Sequence, residues 1–272
     1  MPRSASAAAW ASHCAWSGST GTVMRPGLDT LRAYYADADG RRTARLLAQI
    51  VAPAVRTDAS ARLLAMGYPA PLLQGLDPAR VERLCMVMPA DQGARAWPRR
   101  GPCCAVSARE TDLPFTEALF DQALLVHALE FADPPKLLRE LWRVLAPAGE
   151  LILIVPNRAG VWTHFESTPF GQGQPYGRNG LSALLREAMF EPVAWKTALV
   201  APPVRGLKWL DRPLTRLLPA LGGIHFVLAR KTDGLAVSPV GRVQRASRAG
   251  AAARQPAPDL PREPHRRAPP PP

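Results

Sequence analysis

Apolar positions along the chain fall into two kinds of run. Phe120–Val126 (FDQALLV) and Leu151–Val155 (LILIV) are short and almost unbroken, which fits strands buried on both faces. Between them Leu137, Leu138, Leu141, Val144 and Leu145 recur at helical spacing, with Lys136, Arg139, Glu140 and Arg143 interposed. Asp133 ahead of Pro134-Pro135 reads as an N-cap followed by proline in the first turn, and Pro147-Ala148-Gly149 ends the helix. Two all-apolar strands joined by an amphipathic helix predict a parallel βαβ unit with a right-handed crossover.

The same patterns continue on both sides. Residues 28–55 give two amphipathic helical pieces, in which Tyr34 and Tyr35 serve packing or the capping of a ligand. Ala61–Gly67, Val81–Met88 and Cys103–Ser107 predict the first three strands, with a short helix at LLQGLD after the first. Arg178–Phe190 predicts a helix with Leu181, Leu184, Leu185 and Met189 inward. Glu191–Val200 predicts a sixth strand and Ile224–Ala229 a last one. Pro202–Leu221 is a basic, proline-interrupted helical segment expected to pack on the domain. No apolar run is long enough for a transmembrane helix.

Composition changes this picture at the ends. Residues 1–27 lack periodicity and are Ala/Ser-rich over most of their length, which predicts a disordered extension with too short an apolar run for a signal peptide. Met24 stands just ahead of the periodic sequence and is expected to be the native start. Residues 233–272, rich in Arg, Pro and Ala, predict a disordered tail. Residues 28–232 remain as one domain. The net charge of +12 raises nucleic acid as a partner. The arginines are spread along the chain and into the tail, however, so a basic composition explains the charge better. Cys14, Cys85, Cys103 and Cys104 show no zinc spacing, which predicts reduced thiols, no metal and a cytoplasmic protein. Nothing in the residues fixes an oligomeric state.

The stretches LPF, FDQALLVHALEF and LLRELWRVLAPAGELILIVPN resemble the second half of class I S-adenosylmethionine-dependent methyltransferases. GYPAP, MPADQG and TPFGQGQPY place the resemblance closer to a bacterial, type 11-like branch, over roughly residues 28–232. The resemblance implies an α/β, Rossmann-like, seven-stranded and mostly parallel sheet with helices on both faces. Its implied strand order is 3-2-1-4-5-7-6 with the last strand antiparallel. It implies S-adenosylmethionine as cofactor and an unidentified methyl acceptor as partner.

It also implies where the cofactor lies. The glycine-turn positions fall on Ala65 and Gly67, followed by Tyr68, with Gly67 against the cofactor. The ribose-binding acid falls on Met88, which cannot accept two hydrogen bonds, so Asp91 or Gln92 would have to reach back. The adenine contact falls on Arg109, a donor only, leaving Glu110 or Asp112 to substitute. Val126 and His127 close the fourth strand, with His127 the candidate catalytic base. Glu130 beside it has no second ligand at metal spacing. The long loop after the fifth strand offers Asn157, Arg158, Trp162 and Tyr176 as acceptor-binding groups. The leading expectation is methyl transfer from S-adenosylmethionine; the departures at Ala65, Met88 and Arg109 are the ground for the alternative, a methyltransferase-like binding module that has lost its cofactor.

Overall fold

The structure, a computed structural model, describes residues 24–201 and 222–232, all within one compact unit. The expectations for residues 1–23, 202–221 and 233–272 lie outside the described residues.

Two helices, α1 (Leu28–Ala36) and α2 (Ala38–Val51), precede the sheet. The strands follow as β1 (Arg62–Gly67), β2 (Arg83–Pro89), β3 (Ala105–Ala108), β4 (Phe120–Val126) and β5 (Leu145–Pro156). Helix α3 (Pro134–Val144) joins the last two of these. The chain continues through α4 (Pro169–Gln172), α5 (Arg178–Glu187), β6 (Phe190–Ala198) and β7 (Ile224–Lys231). The sheet order is β3-β2-β1-β4-β5-β7-β6, with β7 antiparallel to both neighbours. This is the Rossmann-like architecture and order expected from the sequence.

Alternation within the strands divides the core in two. Leu64 and Met66 face the side covered by Leu137, Leu138 and Leu141 of α3 and by Leu181 and Leu185 of α5. Leu63 and Ala65 face the opposite side, where Leu47 and Val51 of α2 pack with Met86, Leu124 and Ile152. The Asp133 side chain accepts from the backbone N–H of Lys136 and caps α3, as its position before two prolines predicts. Glu140 and Arg143 on α3 then grip the LPF segment. Glu140 accepts from the N–H of Leu113, and Arg143 donates to the carbonyls of Leu113 and Phe115.

Three expectations need correction. The short helix at LLQGLD is a series of turns; the β1–β2 connection holds only a 3-10 turn at Pro78–Arg80. The connection from β2 to β3 has no helix either, so α2 covers that face with little help. Helix α5 stops at Glu187 because Met189 takes a left-handed φ of 63° and turns the chain into β6. Finally, residues 24–27, expected in the disordered extension, are part of the fold at Arg25 and Pro26, both buried. Among the described residues no helix is long and apolar enough to cross a membrane.

Candidate functional site

In an open parallel sheet, ligands bind at the carboxyl ends of the strands near the reversal of strand order, here the β1–β4 boundary. The ends of β1, β2, β3 and β4 carry Tyr68, Met88, Glu110 and His127. Gly67 closes β1 with a φ of 85°. A Cβ there would strike the carbonyl of Val126 and come to 2.9 Å from that of His127. The glycine therefore serves the close approach of β1 to β4 and faces backbone instead of ligand space. Ala65 and Val126 are fully enclosed in the core. Both pack within the sheet in this arrangement.

The two carboxylates nominated for the ribose and adenine do converge, and they converge on Arg25. Its Nη2 donates to both oxygens of Glu110 at 2.7 and 2.6 Å, and its Nε donates to Asp91 at 3.3 Å. Its Nη1 reaches the carbonyl of His127 at 3.4 Å, and the guanidinium lies 5.6 Å from the centre of the Phe131 ring. One guanidinium thus ties together the ends of β2, β3 and β4. The Arg25 side chain is only 3% exposed. Burial pushes the Glu110 carboxyl above its ordinary range, and the Arg25 charge opposes that shift. Asp112 stands apart, exposed and paired with Arg109 at 3.5 Å.

His127 also has a left-handed φ, 55°, which turns its side chain inward from the strand end. Its Nε2 lies 2.8 Å from the Tyr35 hydroxyl and its Nδ1 lies 3.2 Å from Glu130 Oε1. Burial raises the Tyr35 phenol well above its usual range, with smaller contributions from Tyr34, Glu130 and Tyr68. A protonated Tyr35 donates to Nε2, so Nδ1 carries the proton and donates to Glu130. Phe170 closes over the imidazole, ring centres 4.8 Å apart. Two buried polar groups nearby in sequence lack partners among the described residues: Glu130 Oε2 and the whole side-chain amide of Gln92. Such atoms are rare in finished cores and mark places where a ligand or water supplies the missing bonds.

The loop after β5 is more tightly packed than its composition suggests. Asn157 donates to the Gly222 carbonyl and accepts from the N–H of Ala159. Trp162 is buried against Phe170 and Gly223, and its indole donates to the Ala201 carbonyl at 2.8 Å. The Tyr176 hydroxyl donates to the Leu129 carbonyl at 3.0 Å, and burial raises its phenol. These three groups hold the loop to the sheet. Arg158 alone of the nominated acceptor residues is exposed. Tyr68 and Met88 instead line a cleft beside α1, where Met88 Sδ accepts from the N–H of Arg95.

Sequence reasoning missed Arg25, gave Tyr35 only packing or the capping of a ligand, and left Glu130 without a role. The available signal was Arg-Pro directly ahead of the first amphipathic helix, where a charge next to a fixed turn is placed with little freedom. It was lost among the many other arginines.

Residues 41–153 match the family model described as a methyltransferase domain. No curated protein matches the sequence. Among solved structures the fold is similar to that of an S-adenosylmethionine-dependent methyltransferase from Thermotoga maritima, with a TM-score of 0.58, 18% identity, and 77% of this chain and 98% of that chain covered. It is similar to a chain from the complex between the Haloferax volcanii Trm112 methyltransferase activator and a methyltransferase, with a TM-score of 0.57, 17% identity and coverage of 75% and 98%. A methyltransferase from Mesorhizobium loti gives a TM-score of 0.51 at 13% identity, covering 67% and 96%.

Proposed function

From a chain that has the class I fold of S-adenosylmethionine-dependent methyltransferases, and whose residues 41–153 match the methyltransferase domain, we propose S-adenosylmethionine-dependent methyl transfer in the cytoplasm. The cofactor's nucleoside end is read at the ends of β2 and β3, on Asp91 and Glu110. One observation carries this reading: two carboxylates and the His127 carbonyl converge on a single cation at the strand ends.

The chemistry of that donor set fits the cofactor. Ribose hydroxyls and an adenine amino group donate hydrogen bonds, and Asp91, Glu110 and the His127 carbonyl accept them. A sulfonium nucleoside is also cationic, so it replaces the charge that Arg25 now supplies. The unpartnered amide of Gln92 offers one further donor and acceptor. On this reading Arg25 occupies the acceptors that the nucleoside needs, and cofactor entry requires its withdrawal. Met88 is left as an apolar wall.

When bound, the cofactor supplies an electrophilic methyl group. The chain's own part is to orient the acceptor and to hold its proton. His127 is set for the second task. Glu130 fixes the proton at Nδ1, and Nε2 receives another proton through the Tyr35 hydroxyl. Catalysis by His127 therefore depends on both neighbours.

A second reading has its own observation. The Arg25–Glu110 pair closes the site from within, and a module without cofactor would keep it closed. Calorimetric titration with S-adenosylhomocysteine distinguishes the two. Saturable binding supports the transferase; failure to bind at millimolar ligand, by wild type and by an Arg25 variant alike, supports the module.

A further inference from the structure

Helices α3 and α5 cover the same face of the sheet, and a groove of about 370 Å³ lies between their outer surfaces. Helix α3 presents Arg139 and Trp142 to it, three residues apart and so on one side of the helix. Helix α5 presents Leu184, Glu187 and Ala188 at the same spacing, and Met189 follows where the chain leaves the helix. None of these residues belongs to the strand ends where the cofactor is read. The Lys231 ammonium sits 3.9 Å from the centre of the Trp142 ring and donates to the Leu145 carbonyl, which fixes that wall. The indole N–H of Trp142 has no acceptor among the described residues. Met189 is 37% exposed, unusual for a large apolar side chain. Its left-handed φ of 63° and two bonds to its carbonyl, from the N–H and the hydroxyl of Thr232, hold its backbone in place. An apolar knob and an aromatic wall are thus set before any partner arrives.

The charges on the groove select the partner. Arg139 stands on one wall and Glu187 on the other, both exposed. Among the described residues neither takes part in an ion pair, with the other or with a neighbour. Their helix neighbours differ: Arg143 pairs with Glu140, and Arg186 with Glu191. Two unlike charges on opposite walls are matched by the same two charges turned through 180°. We propose that this groove is an interface with a second copy of this chain, related by a two-fold axis. In such an interface the same patch meets itself, so Arg139 of one protomer faces Glu187 of its partner, and the reverse contact follows by symmetry. Met189 and Trp142 supply the apolar centre, and the two ion pairs form its rim, which is the usual division of a protein interface. The proposal stands independently of methyl transfer.

Sedimentation equilibrium of the full chain from about 1 to 100 µM tests it, and a monomer–dimer equilibrium is expected within that range. Arg139→Glu and Glu187→Arg, both at exposed positions, each weaken association by about tenfold or more, because like charges then meet across the axis. Mixed in equal amounts, the two variants associate to within about threefold of wild type, since every facing pair is again of opposite sign. Met189→Asn, which keeps the left-handed backbone, also weakens association by about tenfold or more. All three variants melt like wild type when dilute enough to be monomeric. Wild type that remains a monomer at about 100 µM overturns the proposal and gives the groove to an occupant other than this chain. A dimer that the three variants leave unchanged lies on another surface and overturns it equally. So does a mixture that associates no better than either charge variant alone.

Discussion

Both carboxylate oxygens of Glu110 accept hydrogen bonds from the same nitrogen of Arg25, at 2.7 and 2.6 Å, although the residues are far apart in sequence. The pair is almost removed from water, with side-chain exposures of 3% and 11%. Such a pair adds little net stability over an apolar substitute, but either partner alone is costly.

A double-mutant cycle checks this directly. Arg25→Met and Glu110→Gln are each expected to lower unfolding free energy, by up to about 3 kcal/mol, and the double variant by clearly less than their sum. Denaturant melts give all four values. Additive losses would mean that the two residues act on the fold separately.

Gly67→Val is expected to destabilise the fold rather than merely block a ligand. The left-handed φ and the collision with the Val126 carbonyl both penalise a side chain there, together by more than about 2 kcal/mol. A thermal melt of the variant matching wild type would show that β1 and β4 can separate at this point.

Trp162→Ala and Tyr176→Phe should likewise register in stability. The first removes a buried indole and its bond to the Ala201 carbonyl, a loss of about 3–5 kcal/mol. The second removes one hydrogen bond to the Leu129 carbonyl, worth about 1 kcal/mol. Unchanged melting with impaired turnover would return both residues to the acceptor site.

His225 on β7 supplies a pH dependence. Burial, aided by the Arg178 charge, lowers its imidazole from 6.5 to about 4. The unfolded chain therefore takes up a proton at higher pH than the folded one. Its effect is absent above about pH 6.5, and stability falls as pH drops from there towards 4. The slope of melting temperature against pH in that window should be shallower in His225→Leu than in wild type. Equal slopes would assign the acid sensitivity to other groups.

The strands were legible because β1, β4 and β5 are apolar on both faces and α3 carries its cap and its stripe in sequence; their order came from the family resemblance. Asp91, Glu110 and His127, nominated for the cofactor and for catalysis, all meet at Arg25. The Arg25 contact was not legible, because an arginine's partner in a distant loop leaves no periodic trace. Gly67 shows what sequence cannot give: the backbone of β4 lies opposite it, at Val126 and His127. The loop after β5 was read from its length and composition as offering acceptor-binding groups; Asn157, Trp162 and Tyr176 are bonded to the carbonyls of Gly222, Ala201 and Leu129.

The most direct measurement is the affinity of S-adenosylhomocysteine for wild type and for Arg25→Met, by calorimetry at neutral pH, with Arg25→Lys as a second variant that retains charge. If Arg25 competes for the nucleoside's acceptors, Arg25→Met binds more tightly than wild type by about tenfold or more, and Arg25→Lys falls between them. Weaker binding by Arg25→Met in a variant that still melts cooperatively would contradict the account, since it would make Arg25 a part of the cofactor site and not its occupant.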